Sequence, residues 1–317
     1  MMGILKAPAL KPGDTLALVA PAGPPDLTTL DRGVRLFSDL GFTLQLGKHV
    51  LTRNGYLAGT DAQRVDDINS AIRDPSIRGI VCARGGYGSL RVLDAIDYAS
   101  LAAEPKVIIG YSDITALLLA IWKEIRLVTF HGPMPAGNAI HPWSLLEFVR
   151  CVTGTQPIGI PFACPVPGFR LECLPWSTCH ENASGRLLGG CLSLLTALLG
   201  TPWEPAERDS IVILEDIGEP PYRIDRMLTQ LRYTHWLKHC RGLLLGSFIR
   251  CEIKPDDPDP SPSLDEVFID RLADLPIPVL RGIPVGHGEF NLTVPIGIRV
   301  QIESETWIPL ESGVDRR

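Results

Sequence analysis

The 317-residue sequence has few of the features that mark metal-binding or membrane proteins. None of its eight cysteines forms a C-x-x-C pair, so a zinc ribbon or a thioredoxin-like site finds little support in their spacing. The longest uncharged apolar stretch, residues 187–203, only reaches the lower limit for a membrane span and contains three glycines and a proline. We therefore expect a buried core helix over residues 187–199 and no contact with membranes.

A positive charge excess is also absent, because 36 acidic residues outnumber 30 basic ones and give a net charge of −6. Such a chain has no bulk attraction for nucleic acid, and we expect none as a partner. The first ten residues have one lysine and no long apolar run, so they do not resemble a secretory signal, and we expect a cytoplasmic protein.

One loop-like region contains four potential metal ligands, Cys164, Cys173, Cys179 and His180. Structural zinc ligands usually come in tight pairs, which these residues do not form. We therefore expect free thiols in a reducing compartment, no metal and no other cofactor. With 45% apolar residues, the chain has enough material for a core that needs no metal or disulfide to stabilise it.

Strands and helices alternate in the first half of the chain. This order predicts a parallel sheet with helices on both faces and a ligand site beyond the carboxyl ends of the strands. The predicted strands are 16–20, 42–46, 79–82 and 107–109, and the predicted helices are 30–40, 61–72, 90–96 and 114–122.

The second half of the chain mixes strands and helices less regularly. A segment rich in proline and glycine precedes it, so we predict an amino-terminal α/β domain (1–154), a linker (155–183) and a smaller mixed α+β domain (184–317). Besides the helix over 187–199, we predict strands at 211–214 and 242–248, helices at 223–231 and 265–272, and short strands after residue 279.

Two loops after predicted strands contain residues suited to acyl transfer. Ser112 lies in Gly-Tyr-Ser-Asp-Ile between a strand and a helix, a partial match to the G-x-S-x-G turn that exposes a nucleophilic serine. The same position also suits a serine that merely caps the helix. In Arg84–Ser89 (RGGYGS), the backbone N–H groups of Gly85 and Gly86 could form an oxyanion hole, or the segment could be a simple tight turn.

A histidine and a carboxylate that could serve such a serine lie in the second half. Flanking glycines leave His287 accessible, and His131, which follows the apolar residues 127–130, is its chief rival as the base. Glu215 and Asp216 follow the apolar run 211–214, where a carboxylate could orient an imidazole. The order serine, carboxylate, histidine is that of α/β-hydrolases, although order alone is weak support.

Several longer motifs resemble the LD-carboxypeptidase family of serine peptidases, which includes the microcin C self-immunity peptidases. The resemblance covers nearly the whole chain. Its motifs in the first half are LKPGDTLALVAPAGP (10–24), AGTDAQRVDDIN (58–69), RGGYGSLRVLDAID (84–97), IIGYSDITALL (108–118) and HGPM (131–134). Those in the second half are GRLLGGCLSLL (185–195), ILEDIGEPPYRIDRMLTQL (213–231) and GHGEFNLTVPIG (286–297).

The resemblance implies a role for particular residues. It places the nucleophile on Ser112, the carboxylate on Glu215 and the base on His287. The oxyanion hole would be the N–H of Asp113 with that of Gly86 or Gly85. It also implies an active site between two domains, and we expect a homodimer. One departure is Cys191, where family members often have asparagine.

The family's typical reaction releases the terminal D-Ala of murein tetrapeptide during cytoplasmic peptidoglycan recycling. Such a substrate has several carboxylates, for which Arg84, Tyr87 and Arg223 are the candidate binding residues, whereas Arg226 suits a surface ion pair better. An alternative is a microcin-immunity-like peptidase acting on peptidyl-nucleotide or acyl-sulfamoyl conjugates. In that case Trp176 or Trp203 could offer an aromatic surface to the nucleobase. An alternative of another class is a non-catalytic muropeptide-binding protein.

Overall fold

Two β-sheets with helices packed against them make up the computed structural model of the protein. It describes residues 3–137, 140–164, 170–177, 182–205, 207–253 and 261–316. The elements of the first half are β1 (Thr15–Val19), α1 (Leu27–Asp39), β2 (Thr43–Leu46), α2 (Asp61–Arg73), β3 (Ile77–Cys82), α3 (Tyr98–Ala103), β4 (Val107–Gly110), α4 (Thr115–Ile125), β5 (Thr129–His131) and α5 (Pro142–Val152).

The second half contains the remaining elements. They are β6 (Glu172–Cys173), β7 (Ala183–Cys191), α6 (Leu192–Leu198), β8 (Ser210–Ile217), α7 (Pro221–Tyr233), α8 (His235–Lys238), β9 (Gly242–Ile249), α9 (Leu264–Leu272), β10 (Val279–Arg281), β11 (Val294–Ile296), β12 (Arg299–Glu303) and β13 (Thr306–Pro309). No helix within these described ranges is long and apolar enough to cross a bilayer.

The first sheet has the strand order β11-β5-β4-β3-β1-β2, and all its pairs are parallel except β11 with β5. The second has the order β13-β12-β7-β8-β9-β10-β6, with β7 to β10 parallel. The predicted α/β architecture is therefore confirmed. The domain boundaries stay a prediction, and we note that β11 from the carboxyl-terminal part joins the first sheet, while β6 from the predicted linker joins the second.

Helix α4 brings the two sheets together. Most of its side chains are buried, and it packs against β5 of the first sheet and β7 of the second. Its sequence, TALLLAIWKEI, suits this position because a helix that is apolar on nearly all sides must be covered on nearly all sides. Since Ser112 lies just before α4, the nucleophile candidate is positioned where the sheets meet.

The helix predicted over residues 187–199 is wrong in its first part. Residues up to Cys191 complete β7, and only Leu192–Leu198 form a helix, α6. An apolar run that is buried all round has no period that distinguishes strand from helix. Gly189 and Gly190 decide the outcome, because their φ angles of +119° and +135° are incompatible with an α-helix.

Two smaller expectations also differ from the structure. The helix predicted at residues 90–96 is a 3-10 helix over Ser89–Ala95. Glu215 and Asp216 lie within β8 instead of just after it, and the register with β9 shifts between Leu214 and Asp216. This irregularity lies beside the carboxylate that the resemblance singles out.

Candidate active site

Ser112 lies in a sharp turn between β4 and α4. Its φ of +62° is in the left-handed region, which costs a non-glycine residue about 1–2 kcal/mol. A strained serine between a strand and a helix is the arrangement of a nucleophile elbow, in which Oγ projects from the turn. The side chain is half-buried, while Tyr111 and Asp113 on either side are buried.

The Gly-rich loop after β3 packs directly on this turn. A Cβ added to Gly85 would lie 3.0 Å from Oγ of Ser112 and 3.3 Å from the backbone N of Asp113. Glycine is therefore needed for the close approach. Gly86, the next residue, is exposed and has a φ of +105°. The structure thus brings together Ser112, Asp113 and Gly85, and Gly86 follows Gly85 directly in the chain.

The side chain of Asp113 ties the loop to the elbow. One of its carboxylate oxygens, Oδ2, accepts a hydrogen bond of 2.8 Å from the backbone N of Ser89, and its carbonyl oxygen accepts one from the Ser89 hydroxyl. Both partners are buried, so these bonds are shielded from water. They restrict how far the Gly-rich loop can move from the N–H of Asp113.

Glu215 and His287 form the second part of the site. His287 Nδ1 lies 2.7 Å from Oε2 of Glu215, and both side chains are buried. Gly286 makes this contact possible, because a Cβ there would lie 2.5 Å from Cδ of Glu215. The ring of Tyr111, which precedes the candidate nucleophile, packs against His287 with 5.0 Å between ring centroids.

His131 lies on the other side of the same carboxylate. Its Nε2 is 3.4 Å from Oε1 of Glu215, and neither side chain is exposed to solvent. Burial acts to raise the pKa of Glu215, but the contacts with His131 and His287 outweigh it and lower the pKa to about 2. Glu215 is therefore ionised. The sequence predicted His131 only as a rival of His287, although its position at the end of an apolar run was a signal for a place at a strand end.

Asp216 points away from His287. Its carboxylate accepts hydrogen bonds from the backbone N of Ser193 (2.8 Å) and of Ile217 (2.7 Å), so it stabilises the start of α6. Burial, followed by the negative charge of Glu215, raises the pKa of Asp216 to about 6. Of the two adjacent carboxylates, the structure thus places Glu215 on the histidine.

Cys191 lies at the end of β7, opposite Glu215 in register. Its backbone N donates to Oγ1 of Thr115 at 3.1 Å, which links β7 to the first turn of α4. Burial, and then the nearby negative charges of Glu215 and Asp216, raise the pKa of its thiol. The side chain is therefore an uncharged neighbour of the carboxylate.

Two of the predicted substrate-binding residues belong to the Gly-rich loop and are exposed. Arg84 donates from Nη1 to the carbonyl oxygen of Pro24 at 3.0 Å. Tyr87 is 53% exposed and packs edge-on against Tyr56, with ring centroids 5.4 Å apart. Both residues flank the two glycines that lie at the elbow, so they remain candidates for binding substrate.

The third predicted substrate residue, Arg223, lies in the first turns of α7 and is engaged locally. Its Nη1 is 3.3 Å from a carboxylate oxygen of Glu219, and its Nε is 3.3 Å from the hydroxyl of Tyr222. Arg226 lies over the ring of the same tyrosine, 5.4 Å from its centroid. These contacts are those of a solvated helix surface.

The expectation of free thiols holds for five cysteines and is wrong for Cys173. Cys82, Cys151, Cys191, Cys240 and Cys251 are free, whereas Cys173 is disulfide-bonded. Cys179 and His180, two of the four residues of the candidate metal cluster, lie outside the described residues. Within the described ranges, one group of side chains has metal-ligand geometry, namely His49, Asp66 and Asp67. Asp67 there accepts from the backbone N of His49, which accounts for its burial.

Comparisons with known proteins agree with the geometry. The chain matches the LD-carboxypeptidase N-terminal domain over residues 16–132 and the LD-carboxypeptidase C-terminal domain over residues 184–302. A probable murein peptide carboxypeptidase of Bacillus subtilis is 37% identical over 98% of this chain and 95% of its own length. The murein tetrapeptide carboxypeptidase of Pseudomonas aeruginosa is 33% identical over 91% and 92%.

A solved structure extends the likeness to the whole fold. The structure of MccF in complex with glutamyl sulfamoyl guanosine superposes with a TM-score of 0.88 at 26% identity, covering 98% of this chain and all of that one. MccF is the microcin C7 self-immunity protein of Escherichia coli, and it is 28% identical over 95% of this chain and 93% of its own length. By both domain matches and by its relatives, the chain belongs to the LD-carboxypeptidase family and is an enzyme of this group of serine peptidases.

Proposed function

We propose that the enzyme hydrolyses the amide bond between the L-centre of meso-diaminopimelate and the terminal D-Ala of murein tetrapeptide. The observation that carries this proposal is the buried Glu215–His287 pair, 2.7 Å apart, against which Tyr111 packs just before a serine held at a φ of +62°. The names of the two murein carboxypeptidases described above support the choice of substrate.

The proposed mechanism is acyl transfer to Ser112. His287 takes the hydroxyl proton on Nε2 as Oγ attacks the scissile carbonyl, and Glu215 holds the Nδ1–H and stabilises the imidazolium. The N–H of Asp113 and that of Gly86 or Gly85 bind the developing oxyanion, each worth about 3 kcal/mol. The imidazolium then protonates the leaving amine of D-Ala, and water, deprotonated by His287, hydrolyses the acyl-enzyme.

The substrate's carboxylates need positive charge in an acidic protein. We propose Arg84 for this contact, since it is exposed and follows the strand that leads to the Gly-rich loop. Tyr87 would contribute a flat apolar surface beside it. Arg223 is the less favoured cation, because Glu219 already partly neutralises it.

The biological setting belongs to the same proposal. A role in cytoplasmic peptidoglycan recycling and a homodimeric assembly both rest on the resemblance to the family. The domain boundaries at residues 154 and 184 are likewise proposed, with Ser112 supplied by the first domain and Glu215 and His287 by the second.

A microcin-immunity-like activity is the second candidate, favoured by the TM-score of 0.88 to MccF. Such an activity needs an aromatic surface for a nucleobase. Trp176 and Trp203, the two candidates, are partly buried and pack against the core. The murein substrate is therefore the first choice, and family membership supports an enzyme over a non-catalytic muropeptide binder.

Mass spectrometry of products tests the substrate. The panel contains murein tetrapeptide, pentapeptide ending in D-Ala–D-Ala, an all-L tetrapeptide and a glutamyl sulfamoyl nucleoside. We expect tetrapeptide to lose D-Ala while pentapeptide and the all-L peptide stay intact, because inverting a centre displaces the carbonyl from the oxyanion hole and about 1 Å of misplacement costs on the order of a hundredfold. Equal cleavage of the three peptides would overturn the substrate, and preferred cleavage of the nucleoside would establish the second candidate.

The Ser112→Ala variant tests the mechanism on the same panel. We expect a loss of at least about a thousandfold in turnover with an unchanged unfolding transition, since the nucleophile is removed and little packing changes. The matched control is Ser38→Ala, at an exposed serine of α1 whose hydroxyl donates to the backbone oxygen of Val34. Turnover by folded Ser112→Ala equal to that of the control would refute the serine mechanism.

A further inference from the structure

The second carboxylate oxygen of Glu215, Oε1, is buried and lies close to the ring of His131. Oε2 bonds to His287, while Nε2 of His131 lies 3.4 Å from Oε1. Among the described residues, no group makes a hydrogen bond of full geometry to Oε1 or to either ring nitrogen of His131. An ionised carboxylate without a partner is costly in a dry interior. The approach of His131 therefore stabilises the charge on Oε1.

The surroundings of His131 indicate which ring nitrogen carries the proton. Its side chain is fully buried, and its Nδ1 lacks a partner in the described structure. An imidazolium would leave a second N–H without an acceptor, which costs more than an unused lone pair. The arrangement therefore favours a proton on Nε2, directed at Oε1 of Glu215.

The position of this ring is built into the first sheet. His131 ends β5, where it is paired with Gly110 of β4 and with Val294 of β11. The ring of Tyr111 packs against it with 5.9 Å between centroids. Gly190 leaves room for it, because a Cβ there would lie 3.1 Å from Cδ2 of His131. The ring is therefore held in place independently of His287.

We propose that His131 is a positioning residue for the catalytic carboxylate: by binding Oε1 of Glu215, it holds Oε2 in line with His287. The proposal rests on the Ser112–His287–Glu215 mechanism above. The carboxylate then lies between two imidazoles, one anchored in the first sheet and one that exchanges a proton with Ser112. Loss of the His131 donor would let the carboxylate rotate and would concentrate its charge on His287.

The test compares His131→Leu, which removes the donor, with His131→Gln, whose amide N–H can replace it. The readout is the rate at which a fluorophosphonate probe modifies Ser112, with Oγ forming the bond to phosphorus and fluoride leaving. This reaction needs His287 as base but does not depend on which peptide the enzyme prefers. Thr129→Val is the matched control, since Thr129 is buried two residues away on β5 and bonds to the backbone oxygen of Leu118.

We expect His131→Leu to slow the modification on the order of 10- to 100-fold, with the larger effect on the maximal rate than on probe binding. The fall of the modification rate on the acidic side of the pH profile should move to higher pH by about half a unit to one unit. The reason is that Glu215, without the His131 donor, attracts the proton of His287 more strongly. His131→Gln should recover most of both effects. The charge of Glu215 also acts on Cys191 and Asp216, but these two residues are the same in every variant, so their titration cancels in the comparison.

A His131→Leu protein with the rate and pH profile of Thr129→Val would overturn the proposal. Equal losses of rate in His131→Leu and His131→Gln, without a shift of the pH profile, would also overturn it, because such losses would indicate an effect on packing alone. Failure of the underlying mechanism is separately visible, because probe modification at a residue other than Ser112, mapped by peptide mass spectrometry, would refute both.

Discussion

Replacing Gly286 by alanine should disable the site by displacing the carboxylate that orients His287. The added Cβ would lie 2.5 Å from Cδ and 2.6 Å from Cγ of Glu215, whereas ordinary contacts begin at 3.4 Å. The carboxyl group must therefore move by about 1 Å, or the backbone must shift by a similar distance. Either movement breaks the 2.7 Å bond to Nδ1 of His287.

Two energetic costs follow from this change, and they can be separated. Alanine at the φ of +104° found here costs about 1–2 kcal/mol by backbone strain alone. Breaking a buried hydrogen bond to a charged carboxylate adds about 1.5–3 kcal/mol to the loss of stability. A displacement of about 1 Å should also lower kcat on the order of a hundredfold.

Gly218→Ala isolates the strain. Gly218 has a φ of +74°, and a Cβ there would meet nothing within 4 Å. Urea unfolding and D-Ala release would be measured for both variants. We expect Gly218→Ala to lose stability only by the strain and to keep its kcat. If Gly286→Ala were as stable and as active as Gly218→Ala, the carboxylate would not be held as described, and the reasoning would be refuted.

Two further substitutions test the surroundings of the site. Asp113→Ala should lower kcat about tenfold and stability by about 1–3 kcal/mol, because the buried N–H of Ser89 loses its acceptor. Asp113→Asn keeps an oxygen there and should be nearly normal, so equal effects in the two variants would contradict this reasoning. The pKa of Asp216, raised to about 6 by burial and then by Glu215, means that the folded state holds the proton more tightly, so the contribution of Asp216 to wild-type stability falls by roughly 2 kcal/mol as pH rises from 4 to 6. Asp216→Asn should remove this fall in urea unfolding curves, and a pH-independent difference between variant and wild type would argue against it.

The first sheet could be predicted from the sequence because its signals are local. The apolar run of β4, the buried strand β3 and the glycines that follow them each indicate a strand and a turn within a few residues. Parallel topology then places both loops at one edge of the sheet, which is how Ser112 and Gly85 could be expected to meet.

The features that could not be predicted depend on contacts between distant segments. Residues 187–191 form a strand because β8 pairs with this part of β7, and no local period records that pairing. The role of His131 depends on a carboxylate in another sheet. A histidine at the end of an apolar run is compatible with many environments. Its place in the sequence alone therefore could not distinguish a catalytic base from a residue that holds the carboxylate.

The contacts of Cys191 show what changes when cysteine replaces the asparagine that family members often have. The bond that links β7 to α4 comes from its backbone N and is accepted by Oγ1 of Thr115, so it does not depend on the side chain. The close approach itself depends on Gly190, where a Cβ would lie 2.8 Å from the same oxygen. Because α4 begins three residues after Ser112, this contact sets the distance between the nucleophile and the sheet that supplies Glu215. A neutral thiol at position 191 therefore changes the surroundings of the carboxylate without changing how the two parts of the site are joined.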